Sequence, residues 1–172
     1  SIQDETQHET GNLNFYLAYT GPLGGAGANK DIKVDISQDE LIYNASEEKR
    51  INSTYSDLEE KYSIFCYSLG EVISEKMRSV MQRTAPRDIY DLWYLFEVEG
   101  QDIEDHVFAF QDKAKYKGYD PNELIKVIEQ KEKTFAKHWK DHLANQMIEI
   151  PDFNDVWREL GKHWRRFQKF IE

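Results

Sequence analysis

Residues 68–100 read "SLGEVISEKMRSVMQRTAPRDIYDLWYLFEVEG" and decide the architecture of the chain. Ser68 followed three residues later by Glu71 has the spacing of a capping box, in which two free backbone N–H groups at a helix start are satisfied reciprocally. Val72, Ile73, Met77, Val80 and Met81 then recur at helical spacing, which predicts a helix over about 69–83. "TAP" interrupts the pattern, and Pro86 fits the first turn of a second helix, where a missing N–H costs nothing. Ile89, Leu92, Trp93 and Phe96 supply that helix with a buried stripe, and Gly100 is placed to end it.

Downstream of this pair, three more helices are expected at about 102–116, 121–144 and 152–171. Their apolar stripes are Ile103, Val107 and Phe110, then Leu124, Val127, Ile128, Phe135, Trp139 and Leu143, then Val156, Leu160, Trp164, Phe167 and Ile171. Upstream, the period changes from 3.6 to 2. Leu13, Phe15, Leu17 and Tyr19 alternate, as do Ile32, Val34 and Ile36, and the glycine-rich "GPLGGAGANK" lies between, so a β-hairpin is predicted. A phosphate-binding loop opens a helix, whereas this one runs into a strand, which argues against a phosphate cradle. Residues 1–10 hold little apolar content and are expected to form a mobile lead-in. Residues 40–67 are ambiguous, with an apolar patch at 41–43 and a strand near "YSIFCYS". The fold class expected is α+β: a small partial sheet with a glycine-rich hairpin loop over 1–67, then a mostly helical lobe over 68–172.

Composition bounds the function. The chain has 172 residues, 31% of them charged, with a formal net charge of -10, which argues against wrapping nucleic acid with the whole surface. A lone cysteine, Cys66, excludes an internal disulfide framework and reads as a buried small apolar residue in a reducing compartment. No run approaches the roughly 20 apolar residues that span a bilayer, so a cytoplasmic location is expected.

Several constellations could carry chemistry. Asp88 and Asp91 are three apart and share one helix face, while Lys76, Ser79 and Arg83 share a face of the preceding helix. The turn at 84–86 can bring these faces together. Cations converging with acids can hold a triphosphate and orient a nucleophile, and equally can form a salt-bridged joint between helices. Asp35, opposite in sense to Val34 and Ile36 along a strand, could bind a hard cation or lie on a wet face. His138 and His142 have the i, i+4 spacing of a zinc pair but lack the Glu of H-E-x-x-H and a third ligand, and Trp139 between them marks a packing face. "GKHWRRFQKF" near the C-terminus interleaves Lys162, Arg165, Arg166 and Lys169 with aromatics. That pattern can contact RNA, yet the aromatic spacing also fits core packing.

"GEVISEKMRSVMQRTAPRDIYDLWYLF" resembles the signature of the AbiEii/AbiGii toxin-type nucleotidyltransferases: a Glu-Lys pair on a helix, an Arg, then Arg-Asp-hydrophobic-Tyr-Asp-Leu. Here these are Glu75, Lys76, Arg83, Arg87, Asp88, Tyr90, Asp91 and Leu92. "LAYTGPLGGAGANKDIKVDIS" is similar to the strand, loop and strand that carry the family's third carboxylate, which falls on Asp35. The resemblance implies a nucleotidyltransferase-type mixed sheet followed by a helical lobe. It also implies transfer of a nucleotide from an NTP with Mg²⁺ to an acceptor such as the 3′ end of tRNA, in the toxin of a bacterial pair linked to phage defence, with a DNA-binding antitoxin as partner. Asp35 would place the metal, Lys76 with Arg83 and Arg87 would contact the nucleotide, Asp88 would be an active-site acid, and Glu75 and Asp91 would support them. The family's Gly-Ser turn and Asp-x-Asp pair do not occur ahead of Asp35, where the only acids are Asp4, Glu5, Glu9 and Asp31. The expectation is therefore the C-terminal portion of a longer or degenerate member, inactive alone. A non-catalytic interaction module with an acidic surface is the alternative.

Overall fold

A computed structural model describes residues 2–7, 12–19, 30–51 and 62–171 of the chain. Its contacts divide it into two compact units, Ser1–Leu41 and Ile42–Glu172.

The first unit is a three-stranded antiparallel sheet in the order β1 (Ile2–Gln7), β2 (Leu13–Tyr19), β3 (Lys30–Ile36). β2 and β3 pair without interruption from Leu13↔Ile36 to Tyr19↔Lys30, as the alternation predicts for a hairpin. The glycine-rich loop between them lies outside the described residues. β1 corrects the expectation of a mobile lead-in, because Ile2–Gln7 pairs with β2 across a register shift between Gln3 and Thr6. Ladder bonds are made by backbone groups, so an edge strand forms even where the sequence has few apolar residues. The described strands pair only antiparallel, in place of the mixed sheet that the resemblance implies.

The second unit opens with a two-stranded hairpin, β4 (Glu47–Arg50) and β5 (Ser63–Cys66). Cys66 is half-buried at the end of β5 and not the core residue expected, since a two-stranded hairpin has little depth in which to cover a side chain. Five helices follow: α1 (Leu69–Gln82), α2 (Pro86–Trp93), α3 (Val107–Tyr116), α4 (Leu124–Leu143) and α5 (Phe153–Ile171). Short 3₁₀ turns at Ile103–His106 and Pro121–Glu123 lead into α3 and α4. The architecture is α+β.

Each predicted stripe meets the others in one core. Ile73, Met77, Ile89, Leu92, Phe110, Phe135, Leu160 and Phe167 are wholly buried, and Trp139 nearly so. Pro86 occupies the first turn of α2 as expected. α2 does not stop at Trp93 but widens into a π-type turn over Tyr94–Val98, in which the Glu99 N–H reaches back to the Tyr94 carbonyl at 3.0 Å. Gly100 then ends the run with φ +68°, a conformation that side chains disfavour. Trp93 donates to Glu159 at 2.7 Å and Glu97 meets His163 at 2.8 Å, so this segment is tied to α5.

The capping box at Ser68 is half realised. Ser68 accepts from the Glu71 N–H at 3.2 Å, but the Glu71 carboxylate turns away to the backbone N–H groups of Tyr43 (3.2 Å) and Asn44 (2.8 Å). At the other end of α1, the Lys131 ammonium from α4 donates to the carbonyls of Val80 and Met81 at 2.8 Å and of Arg83 at 3.2 Å, covering acceptors that a helix terminus leaves free.

His106 is buried in the turn before α3, with its Nε2 unpaired among the described residues. Burial pushes its pKa below the ordinary value, only partly opposed by Asp105 and Asp102. The unfolded chain therefore binds a proton here before the folded one does, and stability rises with pH through this window. Lowering the pH from 7.5 to 5.5 should reduce stability in urea titrations, and His106→Gln should flatten that slope. An unchanged slope in the variant would show that His106 is not the group responsible.

Candidate active site

The joint between α1 and α2 is built from a carboxylate that has no contact with water. Asp88 lies in the first turn of α2, where the helix dipole favours an anion, and its side chain is 0% exposed. Arg83, the residue that ends α1, grips it with two bonds: Nε to Oδ2 at 2.7 Å and Nη2 to Oδ1 at 2.9 Å. Lys76, two turns earlier on α1, donates to Oδ1 at 3.0 Å and reaches Asp91 Oδ2 at 2.6 Å. Burial alone would raise the Asp88 carboxyl, but Arg83 and Lys76 outweigh it and hold it below the usual carboxylate range. Burial likewise works against the charge on Lys76, and its pairs with Asp91 and Asp88 raise its pKa above the ordinary value.

Lys76, Arg83, Asp88 and Asp91 thus form one cluster, and they do so because a tight turn folds the two helix faces together. Glu75 belongs to a different one. It pairs with Arg78 and, at 3.4 Å, with Lys113 of α3, which also holds the buried Glu71 at 2.5 Å. Arg87 is exposed and makes no ion pair among the described residues. Asp35 lies in the first unit on β3, paired with Lys33 at 2.9 Å and with its side chain 58% exposed.

Lys113 and Lys131 were not singled out by the sequence reading. Lys113 left a signal, since it lies three residues beyond Phe110 on the core stripe of α3, where a charge needs a buried partner. Lys131 left none, because its role is set by carbonyls some fifty residues away in sequence. Elsewhere, the rings of His138 and His142 are 5.5 Å apart. Near the C-terminus, Trp164 and Phe167 are core, and Arg166 pairs with Asp102 and Glu104.

The donor set can be tested against a divalent ion. Mg²⁺ needs oxygen ligands in octahedral array. Both Asp88 oxygens and one Asp91 oxygen are already taken by cations, and no group of three or more His, Cys, Asp or Glu among the described residues could hold a metal. Asp88 and Asp91 do not fit a metal ligand set in this geometry; they fit the task of orienting Lys76.

Comparison with known proteins gives the family of the chain. The family described as "Nucleotidyl transferase AbiEii toxin, Type IV TA system" matches residues 2–171. The chain belongs to the AbiEii nucleotidyl transferase toxin family. A toxin–antitoxin family implies an antitoxin partner and a nucleotide substrate. No curated protein and no solved structure matches the chain. Among the described residues of this AbiEii-family chain, no helix is long and apolar enough to cross a membrane.

Asp88→Asn would leave Arg83 and Lys76, whose side chains are 47% and 23% exposed, facing a neutral amide, at a cost of about 1–3 kcal/mol near neutral pH because water screens the cations left behind. Because the folded pKa of Asp88 is depressed, its contribution is complete above the unfolded value of about 3.9 and is lost as pH falls through that value toward the folded one. Urea titrations should show a large deficit for the variant at pH 7 that shrinks at pH 3. A deficit under 1 kcal/mol at pH 7 would show that the pair is not holding the joint.

Proposed function

We propose that this chain binds a nucleoside triphosphate at the α1–α2 joint, as the helical half-site of an AbiEii-type nucleotidyltransferase. The observation that carries the reading is the state of Lys76. Two carboxylates fix its ammonium, at 3.0 and 2.6 Å, yet the side chain keeps 23% of its surface exposed. An ammonium has three N–H donors, and Lys76 uses two of them on protein groups. The third is a preoriented donor for a phosphate oxygen, of the kind that stabilises negative charge at no cost in reorganisation. Arg87, exposed at the start of α2, adds a second cation for the phosphates.

On this reading Lys76 is the residue that touches substrate, and Asp88 acts through it and through Arg83. Asp91 keeps the ammonium extended, and Glu75 supports α1 from its other side. Mg²⁺ would arrive with the nucleotide, held by its phosphates and by water, and Asp35 would be the family-type metal carboxylate of the first unit. The acceptor is an RNA end such as the 3′ end of tRNA, and the partner is a DNA-binding antitoxin, in a system serving phage defence. The Gly-Ser and Asp-x-Asp motifs do not precede Asp35 in the sequence, so binding is assigned to this chain and complete transfer is not.

A second reading has its own support. Asp88 is fully buried and its oxygens are saturated by Arg83 and Lys76, which is the condition of a purely structural joint. A non-catalytic module that docks a basic partner on its acidic surface would use the joint in that way.

Calorimetric titration with each Mg²⁺-NTP separates the two. The wild-type chain should bind with micromolar affinity, and Lys76→Gln, which keeps an N–H for Asp88 while removing the charge, should weaken binding by tenfold or more while thermal unfolding shows a folded protein. Absence of binding to the folded wild type, or unchanged affinity in the variant, would sink the nucleotide reading and leave the interaction module.

A further inference from the structure

We propose that the cavity beside Lys76 seats the aromatic base of the bound nucleotide against Tyr90 and Tyr94. This rests on the nucleotide-binding reading above and adds where the base goes. The cavity measures about 300 Å³ and is lined by Val72, Lys76, Tyr90, Asp91, Tyr94 and Leu95. That is the low end of small-molecule sites, large enough for a planar heterocycle and too small for a folded polypeptide element.

The walls and the rim differ in chemistry. Val72 lies on α1 one turn before Lys76, and Leu95 follows Tyr94 in the π-type turn, so four of the six lining residues offer apolar or aromatic surface. Tyr90 and Tyr94 are nearly parallel, with ring centroids 6.2 Å apart and planes 27° apart. Tyr94 is 38% exposed, so part of its side chain is open to a ligand. Aromatic rings of this kind stack on any base, because every base has a π face. The charged rim is Lys76, with one N–H not used on Asp88 or Asp91, together with the Asp91 carboxylate, while the exposed Arg87 near the start of α2 is not among the lining residues. A ligand that is flat and aromatic at one end and polyanionic at the other matches this division, and a nucleotide is such a ligand.

Comparing Mg²⁺-NTPs with Mg²⁺-tripolyphosphate isolates the base. The folded wild-type chain should bind the nucleotides about tenfold or more tightly than tripolyphosphate, the advantage expected from stacking one base. Tyr94→Ala should erase that difference while leaving tripolyphosphate affinity unchanged, and Tyr94→Phe should restore it. Lys76→Gln should weaken both ligands together. Nucleotide binding that depends on Lys76 but is untouched by Tyr94→Ala would overturn the base site and spare the nucleotide reading. No nucleotide binding to the wild type would overturn both.

Discussion

The second unit depends on the neutralisation of one carboxylate. Asp88 must be ionised to attract Arg83 and Lys76, yet it sits where an isolated ion would be driven to its neutral form. Two cations with hydrogen-bond geometry resolve this conflict, and in doing so they fix α1 against α2. Arg83 caps the end of α1 and Asp88 is the third residue of α2, so the two-bond grip spans the turn itself. The apolar stripes can then close on their other faces, because Ile89 and Leu92 are oriented by the same helix whose start Asp88 anchors.

The same device recurs along α1. Glu71 and Glu75 share Lys113, and Glu75 also meets Arg78. Glu71 holds the segment at Tyr43 and Asn44 by their backbone N–H groups, while burial, which would raise its pKa, is outweighed by Lys113 and those N–H bonds. Lys131 covers the terminal carbonyls, and its own pKa is lowered by burial. α1 is therefore held at its start, middle and end by charge-assisted bonds from different elements. Each is directional, unlike the apolar contacts beneath, so together they define the rotation of α1 about its axis. Rotation is what decides where Lys76 points.

How much of this was legible in the sequence follows from the range of each interaction. Helix positions were readable because periodicity is local: Val72 to Met81 and Ile89 to Phe96 announce their faces within a few turns. The pairing of Lys76 and Arg83 with Asp88 was readable as one of two alternatives, since a short turn constrains where both faces can go. β1 was not readable, because an edge strand is specified by its neighbour's backbone more than by its own side chains. The fate of Glu71 was misread for a related reason. A local capping partner competes with distant N–H groups and an ammonium, and two backbone donors plus a buried cation win over one N–H. The widening of α2 at Tyr94 had no signature, as π-type turns answer to tertiary ties such as Trp93 to Glu159 and Glu97 to His163.

Stability and recognition are thus coupled through one side chain. A lysine on a free surface would lose considerable rotamer entropy on meeting a phosphate. Lys76 has already lost it on folding, to Asp88 and Asp91, so a ligand meets a donor whose position is set by the core. The same fixation limits what Lys76 can offer, because its positive charge is shared with two carboxylates. Affinity drawn from this site cannot rest on charge alone, and has to be completed by contacts that do not compete with the joint. The ring faces of Tyr90 and Tyr94 are such contacts, since stacking makes no demand on the ion pairs beneath. The crowding of charge against aromatic core in residues 83–96 is then a single arrangement: the acids fix the lysine, and the aromatics beside it supply the surface that the acids cannot.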